Sequence, residues 1–244
     1  TESLVREQFR ELGYFNSNDL AIEEQRSSKP QIDKLLQTAS KKGSGKGYPE
    51  FIITAKNEPN FVCVIECKAD AKKHISKELN RFSDFAVDGA KLYADYLSRE
   101  LDVLFIGISG QSREEMRVSH FLKLCGEKDI TPILGNEILS FDTYIEQYKK
   151  VRFRVDYDNL MSYVRGLNKK LHAKKIPENN RAILFSGILL ALEDETFYNS
   201  YTSYKSSSRL SDFLVDSIVQ KLEHSNIHPT RIYEMQQAYN FIKT

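Results

Sequence analysis

The spacing of apolar and polar residues changes character near residue 150: short β-branched runs alternate with helical periodicities before it, and only helical spacing follows it. Leu4, Val5, Phe9 and Leu12 recur at helical intervals and Gly13 follows, predicting an amphipathic helix over 2–12. Pro30 opens a short helical pattern with Ile32, Leu35 and Leu36 on one face, which runs into the loop Lys41-Lys-Gly-Ser-Gly-Lys-Gly47. Residues 51–55 and 61–68 are strand-length apolar runs, and Asn57-Glu-Pro-Asn60 between them has turn composition, so a hairpin is expected. Ile75, Leu79, Phe82, Ala86, Ala90, Tyr93 and Leu97 predict one long or broken helix over 72–98. The nearly continuous apolar run 101–109 suits a strand covered on both faces, and 117–122 and 130–134 are further strand candidates.

Helical patterns then occupy 158–171, 181–192, 210–222 and 230–242, with the Ser/Tyr-rich stretch 199–208 as the expected loop. The fold expected is an α/β core over 1–150, a mixed central sheet flanked by helices, followed by a small all-helical domain over 151–244.

A net charge of +1 does not by itself nominate nucleic acid as the partner. Local basic clusters stand at Lys41-Lys42 with Lys46, and at Lys169-Lys170 with Lys174-Lys175. Cys63, Cys67 and Cys125 lack zinc-site spacing and read as core thiols of a reducing compartment. Without a signal-like start or an apolar stretch of spanning length, a soluble, intracellular protein with no membrane partner is expected. The G-x-G-K-G run lacks the full phosphate-loop pattern.

The chemistry is concentrated in Tyr48-Pro49-Glu50 and Ile65-Glu66-Cys67-Lys68. Side chains alternate along a strand, so Glu66 and Lys68 share one face while Cys67 points the other way with Ile65 and Cys63. The hairpin would carry Glu50 back beside Glu66. Two carboxylates there could hold a hard, oxygen-preferring cation such as Mg²⁺, with a lysine to orient or activate water.

This arrangement resembles the PD-(D/E)xK nuclease superfamily, and Glu50, Glu66 and Lys68 match its three motif positions. The resemblance implies a restriction-endonuclease-like core and a Mg²⁺-dependent deoxyribonuclease in which Mn²⁺ can substitute for Mg²⁺. Glu50, Glu66 and the backbone carbonyl of Cys67 would be metal ligands, Lys68 would handle the water, and a first-helix acid, Glu7 or Glu11, would approach the metal. The family more often has Asp at the position of Glu50. Residues 84–94 also resemble the Gln-x-x-x-Tyr helix of RecB-like nucleases and of type I restriction subunits; Tyr93 matches, Gly89 stands in place of Gln, and Asp88 and Lys91 lie nearby. Lys41, Lys42, Lys46, Lys91 and Tyr93 are the expected DNA contacts.

The segment from Val151 through Leu192 resembles the N-terminal helical region of N6-adenine DNA methyltransferases. Joined to the nuclease pattern, it resembles the single-chain restriction-modification enzymes. The implied partners are double-stranded DNA and methyltransferase and target-recognition modules, in the same full-length chain or in a partner subunit of a prokaryotic cytoplasm. No Asn-Pro-Pro-Tyr motif, S-adenosylmethionine loop or Walker motif is found, so S-adenosylmethionine would enter only through a region absent from this chain. The competing expectations are a catalytically degenerate nuclease fold used for DNA binding or assembly, and a RecB-like repair nuclease.

Overall fold

The computed structural model describes residues 1–41 and 43–243. Two compact units divide the chain, Thr1–Asp156 and Tyr157–Thr244. The first is an α/β unit built on a six-stranded sheet in the order β1 to β6. Its strands are β1 (Leu20–Glu23), β2 (Phe51–Ala55), β3 (Phe61–Lys68), β4 (Asp102–Ser109), β5 (Arg117–Lys123) and β6 (Thr131–Ile133). Neighbours pair antiparallel except β3 with β4, which run parallel. Parallel pairing requires a crossover, and the helix α3 (Ala86–Leu97) provides it.

Strand alternation sends the two faces of this sheet into separate cores. On one face, Ile53, Cys63, Ile65, Cys67, Leu104 and Ile106 pack with Val5 and Phe9 of α1 (Glu2–Glu11) and with Phe141, Tyr144 and Tyr148 of a later helix, α4 (Phe141–Ala173). On the other, Ile52, Val62, Val64, Val103 and Phe105 pack with Ile32 and Leu36 of α2 (Pro30–Leu36) and with Val87, Ala90, Tyr93, Ala94 and Leu97 of α3. Every residue of β4 is buried, as its nearly continuous apolar run predicted.

Several expectations are revised, among them Cys125, expected as a core thiol and exposed in the structure. The 72–98 pattern is helical only from Ala86, with Ile75 exposed and Leu79 in the left-handed region at φ 51°. The cause is Asp88, a fully buried carboxylate in the first turn of α3. It accepts hydrogen bonds from the Ser76 hydroxyl, from the Ser76 N–H at 3.0 Å and from the Arg81 N–H at 2.8 Å. The positive helix terminus favours that charge, and residues 76–81 wrap around it instead of continuing the helix. The helix expected over 158–171 begins far earlier, as α4 (Phe141–Ala173), because its first turns cover the sheet. There Asp102 accepts from Tyr148 Oη at 2.8 Å and pairs with Arg152 at 3.2 Å. The edge strand β1 had no sequence counterpart: four residues beside Asp19 and Glu24 are too short for alternation to register.

Helices α5 (Glu178–Leu192), α6 (Glu195–Ser200), α7 (Ser207–Glu223) and α8 (Pro229–Tyr239) follow in the second unit. Asp194 caps α6 by accepting from the Thr196 and Phe197 N–H groups. Ala191, Phe197, Leu214, Ile218, Leu222 and Tyr239 form the core of this unit. The short α6 stands where part of the 199–208 loop was expected. Among the described residues, no helix is long and apolar enough to cross a membrane.

Two buried histidines brace the first unit. His74 lies between the Ser109 and Ser119 hydroxyls at 3.0 and 2.9 Å, bridging β4 and β5. The Leu139 N–H donates to Tyr144 Oη, and the Tyr144 hydroxyl is hydrogen-bonded to His120 Nδ1 at 2.7 Å. Burial first, then the charge of Arg117, pushes His74 down to about 4; burial likewise brings His120 to about 4. Between about pH 6.5 and about 4 the unfolded chain therefore binds more protons than the folded one, and stability falls as pH falls, by up to about 1.4 kcal/mol per pH unit per histidine. The thermal midpoint is expected to drop from pH 7 to pH 5. In H120N, whose amide offers Tyr144 both a donor and an acceptor without titrating, the dependence should be shallower; an unchanged slope would remove His120 from this account.

Candidate active site

The β2–β3 register sets Phe51 opposite Ile65, which carries the preceding Glu50 to the neighbourhood of Glu66. Pro49, just upstream, is buried, and its carbonyl accepts the Gln25 N–H at 3.0 Å, anchoring the approach to β2. Glu66 lies on the α3 face of β3, between β2 and the parallel β4, and is completely buried. A carboxylate there loses its hydration and requires compensating partners. One of its oxygens, Oε1, has two: Lys68 Nζ at 3.1 Å and Lys41 Nζ. The other, Oε2, is buried with no hydrogen-bond partner.

Glu50 is half-buried and its carboxyl is raised above the usual range, first by burial and then by the charges of Glu66 and Glu2, against the lowering effect of Lys41 and Lys68. Burial pushes the Cys67 thiol up as well, and the charges of Glu66, Glu50 and Glu2 add to it. Three carboxylates thus act on one end of the β2–β3 hairpin. Among the described residues, no group of three or more His, Cys, Asp or Glu side chains is assembled closely enough to hold a metal ion. The residues nevertheless offer what a hard divalent ion prefers: an orphaned, fully buried carboxylate oxygen on Glu66 with the half-buried Glu50 carboxyl acting on it, oxygen being the donor such ions take.

The remaining sequence candidates lie in different surroundings. Glu7 and Glu11 pair with Arg113 at 3.4 and 2.6 Å. Glu2 is instead the α1 acid whose charge reaches Glu50, and its position at the start of the helix gave no advance sign of this. Lys46 pairs with Asp33, and Lys91 with Asp95 at 2.7 Å. Tyr93 is buried, with its ring 5.4 Å from Lys41 Nζ and its hydroxyl raised by burial and by Glu66. Lys42 lies outside the described residues. Asp88 is occupied in holding residues 76–81.

Gly89 has a packing reason that the sequence did not disclose. A Cβ there would stand 2.9 Å from the Phe82 carbonyl oxygen and 3.1 Å from Glu66 Cγ. The bare backbone of α3 is what lets that helix close over the buried carboxylate.

This chain is similar to the type II restriction enzyme and methyltransferase RM.BcgI of Heyndrickxia coagulans, at 28% identity over 270 aligned positions. The alignment covers all of this chain and 40% of that protein, so the chain spans less than half the length of its relative. This weak similarity supports a restriction-modification enzyme region. No protein-family model matches the chain, and no solved structure matches it.

In an ordinary helix interior, Gly to Ala gains about 1 kcal/mol of propensity. At Gly89 the added methyl must displace a backbone carbonyl or Glu66, an overpacking cost of about 1–3 kcal/mol. G89A is therefore expected to lower the thermal midpoint and disturb the site together; a midpoint above wild type would show that the close approach is not required.

Proposed function

We propose that residues 1–156 form the DNA-cleaving part of a restriction-modification enzyme, hydrolysing phosphodiesters with a divalent metal, Mg²⁺ by preference. The observation that carries this reading is Glu66: a carboxylate fully buried on a central strand, with one oxygen on Lys68 and the other unpartnered, and with Glu50 delivered beside it by the hairpin. Similarity along the whole chain to a protein that is both restriction enzyme and methyltransferase points in the same direction.

Glu66 and Glu50, with the Cys67 carbonyl, would hold the ion. When bound, it would supply Lewis-acid polarisation of a phosphoryl oxygen and ease deprotonation of water. Lys68 is fixed two residues along the same strand face, with its ammonium on Glu66, so it is pre-oriented to position a water or to meet the charge developing on the phosphate. Burial around Glu66 and Tyr93 keeps bulk water from screening these charges. Glu2 is the α1 acid whose charge is felt at Glu50, and it would take the part the family resemblance assigned to Glu7 or Glu11.

The fit between Gly89 and Glu66 supports an intact site over a degenerate one, because the residue missing from the Gln-x-x-x-Tyr pattern is one that this packing excludes. Residues 157–244 would lead into the methyltransferase portion, with S-adenosylmethionine and target recognition supplied outside this chain.

Nicking of supercoiled plasmid and calorimetric Mn²⁺ binding test the reading. The wild-type chain should bind Mn²⁺ and nick DNA, and E66Q should lose both. K68A should keep Mn²⁺ binding while cleavage falls by about 10²-fold or more. A wild-type chain that binds Mn²⁺ no better than E66Q would overturn the assignment, and undiminished cleavage by K68A would remove Lys68 from the chemistry.

A further inference from the structure

Two ammonium groups share Glu66 Oε1, and they come from different kinds of backbone. Lys68 is built into β3, two residues from Glu66, so its placement follows from the strand itself. Lys41 arrives from the connection between α2 and β2, twenty-five residues upstream. Its own carbonyl is held by the Ser83 hydroxyl at 3.2 Å, so the backbone is tethered while the long side chain reaches inward. Downstream, Gly43 and Gly45 lie in the left-handed region with open space where a Cβ would stand. The face of Tyr93, 5.4 Å from Lys41 Nζ, offers the ammonium a second attractive surface next to the carboxylate.

A single carboxylate oxygen has no need of two lysines. Lys68 alone supplies a charge-assisted partner, and the second cation adds repulsion between ammonium groups as well as attraction to Glu66. A divalent ion reaching Glu66 would add still more positive charge beside both. Of the two lysines, Lys41 is the one that stems from a loop, and the Tyr93 ring gives its ammonium a second surface to move onto when it leaves the carboxylate.

We propose that Lys41 is a placeholder cation: it neutralises Glu66 while the metal is absent, and is displaced from the carboxylate when a divalent ion binds. This rests on the nuclease reading of the same site. Because the Ser83 contact holds the Lys41 backbone, the displaced ammonium stays within side-chain reach of the site, where it would face the phosphate backbone of the substrate. Lys41 therefore opposes metal binding and assists the substrate, and the two effects have opposite signs under substitution.

The test uses Mn²⁺ binding to the full 244-residue chain, by calorimetry and by the paramagnetic signal of free Mn²⁺, with circular dichroism to verify folding. K41M is expected to bind Mn²⁺ about tenfold more tightly than wild type, since a competing charge is removed. It should also nick plasmid more slowly at saturating Mn²⁺. K41R, which keeps the charge, should stay within about twofold of wild type in affinity. If K41M binds with unchanged or weaker affinity while E66Q still abolishes binding, the placeholder role falls and the metal site stands. If K41R tightens binding as much as K41M, charge is not the cause and the proposal also falls. If neither wild type nor K41M binds Mn²⁺ better than E66Q, the nuclease reading fails and takes the proposal with it.

Discussion

A carboxylate with no exposed surface, set on a middle strand of a sheet and covered by a helix, is the constraint around which the first unit is organised. Burying such a charge without compensation costs several kcal/mol. Lys68 and Lys41 answer that cost on one oxygen and leave the other without a partner. The surrounding features follow from keeping this group buried. Gly89 removes the side chain that would collide with it, Tyr93 closes the floor beneath Lys41, and Glu50 carries a carboxyl raised by the same environment.

A second buried acid does purely architectural work. Asp88 gathers Ser76 and the Arg81 N–H around the first turn of α3, so the segment leaving β3 returns over the helix in a fixed path. Asp102 plays a comparable part at the opposite end of the sheet, taking the Cys125 N–H, Tyr148 and Arg152. These three acids, Glu66, Asp88 and Asp102, are all nearly inaccessible. Asp88 and Asp102 have donors on both oxygens, and Glu66 differs from them in keeping one oxygen without a partner.

The β2–β3 hairpin and the pairing of Glu50 with Glu66 and Lys68 were legible because they depend on local rules: period-two alternation, a turn of Asn and Pro, and short motif spacing. The α/β architecture with its mixed sheet followed from the same signals. What escaped depends on contacts distant in sequence. Leu79 and Phe82 fit a helical period, yet Asp88 offers their neighbours' backbone better hydrogen bonds than a helix would. The early start of α4 is decided by the room for Phe141, Tyr144 and Tyr148 on the sheet. Lys41 read as one basic residue among several, and only the fold reveals that its partner is Glu66. Gly89 looked like a missing Gln until its distance to Glu66 gave the absence a physical meaning.

The parallel pairing of β3 with β4 has a consequence for when the site can exist during folding. The hairpin that joins Glu50 to Glu66 closes over a few residues, whereas the partner on the other side of β3 begins at Asp102 and must wait for the crossover through α3. Non-local strand pairing of this kind is slow relative to hairpin closure. A half-folded chain therefore brings the two acids together in water, where neither is desolvated and no preorganised charge pattern faces a ligand. The desolvated environment of Glu66 therefore exists only once β4 and α3 have docked on the hairpin.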